Sequence, residues 1–140
     1  MMNRGTTNLA DYTININATT TQVVGQLNIV AIKDITGIDF PVAEVYMYPG
    51  AIKHIKREHP GIIEQYGHLL PDLIANPDYV GQHPKEGSLE LVKFVSLHLL
   101  IAIKLDPSGY LYVSTLYDLR NGQEKVKKRL SSGRLKPYRT

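Results

Sequence analysis

The chain has 140 residues, 43% hydrophobic and 21% charged, enough for one buried core and too short for two domains of ordinary size. It has no cysteine, which excludes disulfides, thiolate metal sites and cysteine nucleophiles. The net charge of +3 is unevenly placed: Arg120–Thr140 carries eight bases and one acid, +7, so the first 119 residues total −4. Such asymmetry favours a polyanionic partner, although a solvated charged helix that only aids solubility has the same composition.

Residues 1–12 read as a lead-in with little to bury. Met1–Asp11 shows no apolar stretch behind a basic start, so no secretory leader is visible and a cytoplasmic site of folding is expected. No apolar run approaches bilayer-spanning length, and a membrane partner is not expected. Val23–Lys33, apolar and β-branched, reads as a strand, Asp34–Gly37 as a turn, and Val42–Tyr48 as a second strand able to pair with the first. Residues 1–40 hold no constellation of chemistry and read as an N-terminal extension with a β-hairpin strand. Residues 41–140 carry the functional part of a single folding unit.

Pro49 suits the first turn of a helix running to Glu58, and Pro60-Gly61 then breaks the chain direction. Ile62, Ile63, Tyr66, Leu69, Leu70, Leu73 and Ile74 form the apolar stripe of a second helix to Ala75, kinked or split by Pro71. Asn76-Pro77-Asp78 ends it, and Tyr79-Val80-Gly81 leads into a loop from Gln82 to Ser88. Leu89–Leu119 reads as sheet with a break near Ser96–His98 and a hairpin turn at Asp106–Gly109. Strict alternation in the last strand puts Tyr110, Tyr112, Ser114 and Leu116 on one face and Leu111, Val113, Thr115 and Tyr117 on the other. Gln123–Leu130 reads as a short basic helix. The fold class is therefore α+β: an N-terminal strand region, two helices, an antiparallel sheet of about four strands and a short basic C-terminal helix.

The chemistry concentrates in Tyr48–Pro60. At about 100° per residue His54, Arg57 and Glu58 share one helix face while Ile52 and Ile55 turn inward. A carboxylate can fix an imidazole tautomer and an arginine can neutralise a phosphate, which are parts of an acid–base phosphoryl site. His59 converges on His54 only if the proline-broken helix end swings it back. Otherwise His54 is a surface residue and His59 a cation at a helix C-terminus.

A metal site fits poorly: the spacing is not His-Glu-x-x-His, and Lys53, Lys56 and Arg57 would repel a divalent ion. His68, His83 and His98 are scattered. There is no phosphate-binding glycine loop, dinucleotide fingerprint or Gly-x-Ser-x-Gly elbow, and no cofactor is expected. Of Ser114 and Thr115 only one can face a cleft. Tyr138 in its basic setting can stack on a base, donate to a phosphate or anchor the C-terminus.

His54-Ile55-Lys56-Arg57-Glu58-His59-Pro60, a helix ending in Asn76-Pro77-Asp78-Tyr79-Val80-Gly81, then Glu90-Leu91-Val92-Lys93, Tyr112-Val113-Ser114-Thr115 and Gly133-Arg134-Leu135-Lys136-Pro137-Tyr138 occur in that order. Together they resemble the phage-type domains of the barnase/EndoU/colicin/RelE-like nuclease superfamily, over Val45 to Tyr138. The resemblance implies a helical segment followed by a four-stranded antiparallel sheet, and metal-independent cleavage of RNA through its ribose 2′-OH. It implies His54 as base or acid, Arg57 and Lys93 on the phosphorane charge, His59 or Tyr138 as second proton carrier, and Thr115 or Ser114 on a phosphate oxygen. Lys56, Arg134 and Lys136 are the expected nucleic-acid contacts. RNA is the implied partner, and an antitoxin or immunity protein is a further one the resemblance allows. The alternatives are a non-catalytic nucleic-acid-binding module on this scaffold and a phage protein-interaction domain.

Overall fold

A computed structural model of the chain describes residues 12–139. In chain order the elements are β1 (Gln22–Gln26), α1 (Ile29–Thr36), β2 (Glu44–Met47), α2 (Pro49–Glu58), α3 (Ile62–Tyr66), a 3-10 turn (Gly67–Leu69) and α4 (Leu70–Ala75). Then follow β3 (Tyr79–Gln82), β4 (Leu89–Phe94), β5 (His98–Leu105), β6 (Leu111–Asp118), α5 (Gly122–Ser132) and β7 (Leu135–Pro137).

The seven strands form one sheet in the order β1-β2-β6-β5-β4-β3-β7. Every neighbouring pair is antiparallel except β2 with β6. The expected α+β class holds, but the sheet is larger than the four strands expected. β1 and β2 extend one side of the central strands, and β3 and β7 extend the other. The latter two have only four and three residues and contain Gly81 and Pro137, so they offer no run of β-formers to read. Pro137 is tolerated because β7 lies at the sheet edge.

The strand expected over Val23–Lys33 is also corrected. It stops at Gln26, and a helix begins at Ile29. The Asn28 side chain accepts a hydrogen bond from the Ala31 backbone N–H at 3.1 Å, and Gly37 closes the helix in the left-handed conformation with φ 80°. Two good caps outweigh the β-preference of isoleucine and valine, a weak bias that local context overrides.

Each face of the sheet has its own core. One is covered by helices α1 to α4 and holds Ile32, Ile55, Ile63, Leu73, Leu91 and Ile101 among its buried residues. The other is smaller, with Val92, Leu100, Ala102 and Leu135 under Val126 of α5.

A bulge decides which side chains of β6 share that second face. Ala102 pairs with Thr115 and Ile103 with Val113, which leaves Ser114 as an extra residue. Tyr112, opposite Lys104, therefore lies on the same face as Thr115 and Tyr117, while Leu111, Val113 and Leu116 all enter the helix-side core. The strict two-face alternation expected for this strand fails at that residue.

Candidate functional site

The parallel pairing of β2 with β6 sets the position of α2. Val45 and Tyr46 lie beside Leu111 and Tyr112, and β2 then ends at Met47 while β6 continues to Asp118. The chain turns at Tyr48 and begins α2 at Pro49, whose missing N–H costs nothing in a first turn. The helix packs beside the exposed half of β6, held by Ile52 and Ile55, both buried. His54, Arg57 and Glu58 face outward from that anchor.

His59 caps the helix at φ −134°, ψ 69°, and its backbone N–H still donates to the Ile55 carbonyl at 2.8 Å. Leaving helical geometry, as a residue before proline does, swings its ring back toward the helix. The His54 and His59 rings stand edge to face with centroids 6.5 Å apart, and His59 stacks on Tyr117 at 5.2 Å with an interplanar angle of 25°. His59 and Tyr117 border an open cleft of about 500 Å³, together with Glu58, Asp118, Arg120 and Lys125, and His54 stands behind His59 outside its lining.

Arg57 Nε donates to Glu58 at 2.9 Å, and its Nη2 lies 3.5 Å from Nδ1 of His54. A guanidinium only donates, so a hydrogen bond at this limiting distance needs Nδ1 as its acceptor. The carboxylate was expected to set the tautomer; in the structure the arginine takes the carboxylate and meets the ring. Its hydrogen bond, then its charge, hold the Glu58 carboxyl below the usual range. The Arg57 side chain is 70% exposed, so the pair contributes little to stability and the guanidinium is free to re-aim.

Behind Tyr117, on the same sheet face, Glu90 is 1% exposed and receives Nε and Nη2 of Arg134 at 2.8 Å each. That bidentate bond raises the arginine further above its ordinary value. Gly81 makes the approach possible: a Cβ there would stand 1.7 Å from the Arg134 carbonyl oxygen. Burial, followed by the Glu90 charge, pushes the Tyr117 hydroxyl up, against Arg129 and Arg134.

Arg129 lies against Tyr117 and lowers its hydroxyl's value, and its Nη1 is buried without a hydrogen-bond partner, as is Thr115 Oγ1. Among the described residues these are the two buried side-chain polar atoms left unpaired. Both belong to residues on or against this face, where a buried donor and hydroxyl want an acceptor and a donor.

The structure thus brings His54, Arg57 and His59 together and sets Thr115 two residues from Tyr117 on one strand face. Other expected site residues lie elsewhere. Lys93 Nζ donates to the Asn76 carbonyl at 2.7 Å and pairs with Asp72 at 3.6 Å. Tyr138 packs on the helix-side core, and its hydroxyl donates to the Ala75 carbonyl at 3.3 Å. Both therefore sit at the end of α4, tied to that helix and not to the paired histidines. Lys56 bonds Asn17, Lys136 reaches the Ile35 carbonyl at 3.4 Å, and Arg134 is committed to Glu90.

Tyr117, Glu90 and Arg129 were not singled out from sequence. Glu90 alone carried a signal, since a carboxylate inside the apolar run Leu89–Val92 needs a buried cation. Among the described residues no three His, Asp or Glu side chains gather as a metal-holding group, and no helix is long and apolar enough to cross a membrane.

The structure is thus a mixed sheet with α1 to α4 on one face, α5 on the other and a cleft lined by His59 and Tyr117 beside β6. The family model described as phage-Barnase-EndoU-ColicinE5/D-RelE like nuclease3 matches residues 22–127. The chain belongs to that family, and the match takes in β1 and α1 as well as the histidine helix. No curated protein and no solved structure matches the chain.

Proposed function

We propose that this nuclease-family domain is a metal-independent endoribonuclease that cuts RNA by attack of the ribose 2′-OH on the adjacent phosphate. The observation that carries the reading is the run of rings His54–His59–Tyr117, whose last two members line a cleft with Arg120 and Lys125 and with Glu58 and Asp118. Two titrating groups on one opening, with fixed cations around them, are what this transesterification requires. One imidazole, unprotonated, takes the 2′-OH proton as the oxygen bonds to phosphorus. The other, protonated, delivers its proton to the departing 5′-oxygen. The products are a 2′,3′-cyclic phosphate and a 5′-hydroxyl.

His54 and His59 are the two proton carriers in this scheme. Tyr138 has its hydroxyl engaged at α4 and leaves the second role to His59. Arg57 meets the phosphate oxygens in this scheme, the buried Thr115 hydroxyl and Arg129 join it only after a local rearrangement that uncovers them, and Lys93 serves α4 instead. A phage or mobile-element setting, cytoplasmic RNA and a neutralising antitoxin or immunity protein belong to the same proposal. The test is incubation of the purified chain with mixed RNA in excess EDTA. Cleavage that disappears in His54→Ala and His59→Ala supports it, and salt-sensitive binding without products would leave a non-catalytic binder.

A further inference from the structure

The second sheet face is only partly used by α5. Beyond the cleft, toward β2, it carries four tyrosines that belong to neither core: Tyr46, Tyr48, Tyr110 and Tyr112. Each is half-exposed. Tyr46 meets Tyr110 edge-on at 6.3 Å, Tyr48 meets Tyr110 at 6.2 Å and Tyr112 at 5.9 Å, and Tyr110 meets Tyr112 at 6.3 Å.

The parallel register sets Tyr46 beside Tyr112, and the bulge keeps Tyr112 on the same face as Thr115 and Tyr117. Tyr48 is the residue from which α2 starts, one turn and a half before His54. The aromatic cluster and the histidine cleft thus share β6, from Tyr112 to Tyr117, and α2, from Tyr48 to His59.

We propose that this cluster is a stacking platform for unpaired nucleotides flanking the bond that is cut, so that the substrate is single-stranded RNA. The inference rests on the ribonuclease reading and adds the form of its substrate. Aromatic faces stack bases with little regard to sequence, whereas a duplex keeps its bases stacked on each other and offers mainly phosphates. Charge around the platform fits the same occupant. Lys104, opposite Tyr112, stands beside it, paired with Glu86 at 3.3 Å, and α2, which starts at Tyr48, carries the exposed Lys53 and Arg57. Acids stand near it too, Asp106 beside Tyr110, Glu86 on Lys104 and the exposed Glu44 two residues before Tyr46 on β2, so the platform recognises by its rings more than by net charge.

The test uses the full chain and an all-DNA strand of about eight nucleotides, which lacks the 2′-OH and cannot be cut by this chemistry. Binding is measured by anisotropy at fixed salt for the single strand and for the same strand in a duplex. The single strand is expected to bind at least ~10-fold more tightly and to quench tyrosine emission. Tyr46→Ser with Tyr112→Ser should weaken single-strand binding ~10- to 100-fold, while Tyr46→Phe with Tyr112→Phe stays within about twofold, because the rings remain.

Equal affinity for strand and duplex, or wild-type affinity in a folded serine pair, overturns the platform. So does a wild-type dimer that the serine pair converts to monomer, since a second copy would then be the occupant. If the serine pair does not fold, strand preference and quenching in the wild type and the phenylalanine pair decide. Because DNA binding needs no turnover, intact RNA alongside preferential single-strand binding counts against the nuclease reading alone. RNA cleavage alongside equal binding counts against the platform alone.

Discussion

Under α2, α3 and α4 the sheet presents Leu91, Leu99 and Ile101 to Ile55 and Ile63, all fully buried and all aliphatic. The opposite face of the same strands places Glu90, Thr115 and Tyr117 among Val92, Leu100 and Ala102, and brings Arg129 and Arg134 down onto them. Both faces are built from one period-2 pattern, yet only the second accepts groups that are costly to bury, and two of its polar atoms stay unpaired. Where a fold breaks its own burial rule on one side and keeps it on the other, the broken side is the one with work beyond stability. Substitutions in the first face should therefore cost stability alone, whereas those at the edge of the second should cost activity, the buried Glu90–Arg134 pair being the part of the second face that also holds the fold.

The largest effect is expected at the edge of the second face. His54→Ala and His59→Ala should each lower RNA cleavage ~10²- to 10⁴-fold, the usual scale for a removed general acid or base. Their melting temperatures should remain near wild type, because neither ring is buried. On the helix side, Ile63→Ala should cost about 2–5 kcal/mol in urea unfolding while activity per folded molecule is unchanged, since Ile63 points into the helix-side core and does not line the cleft. Loss of cleavage without loss of fold in Ile63→Ala would break the contrast between the faces.

Glu90→Gln tests the buried pair, where removing one partner strands the Arg134 charge and should cost about 3 kcal/mol. Thr115→Val is more discriminating. An unpaired buried hydroxyl replaced by a methyl should leave stability within about 0.5 kcal/mol, yet cleavage should fall ~10-fold if that hydroxyl meets phosphate.

The smallest effect is alkaline. Burial holds the Tyr117 and Tyr138 hydroxyls above the ordinary phenol value of about 10, so the folded chain keeps those protons more tightly than the unfolded one. Their stabilisation is complete below that value and declines as pH rises through the folded values. Thermal melts from about pH 9 upward should show that decline flattened in Tyr138→Phe.

The helix-covered half was largely legible in the sequence. Pro49, the Ile52–Ile55 spacing and the Pro60-Gly61 break place α2, and the seven-residue stripe broken at Pro71 becomes α3, a 3-10 turn and α4. Those signals are local, confined to a few turns of chain. The second face was not legible, because long-range pairings make it. The bulge at Ser114 re-phases β6 by one residue, and β7 pairs with β3 across more than fifty residues.

Side-chain partners followed the same divide. His54 and His59 meet through a local proline effect, whereas Lys93 and Tyr138 were fixed at the end of α4 by partners distant in sequence. Val23–Lys33 shows the converse, a local cap at Asn28 converting an apparent strand into a helix.

The most direct test is cleavage of mixed RNA by the purified chain in excess EDTA, run beside the His54→Ala/His59→Ala double variant at equal folded concentration. The wild type should yield fragments ending in 2′,3′-cyclic phosphate and 5′-hydroxyl, and the double variant should yield none above background. Intact RNA with the folded wild type, or full cutting by the folded double variant, would contradict the histidine cleft as the seat of the activity.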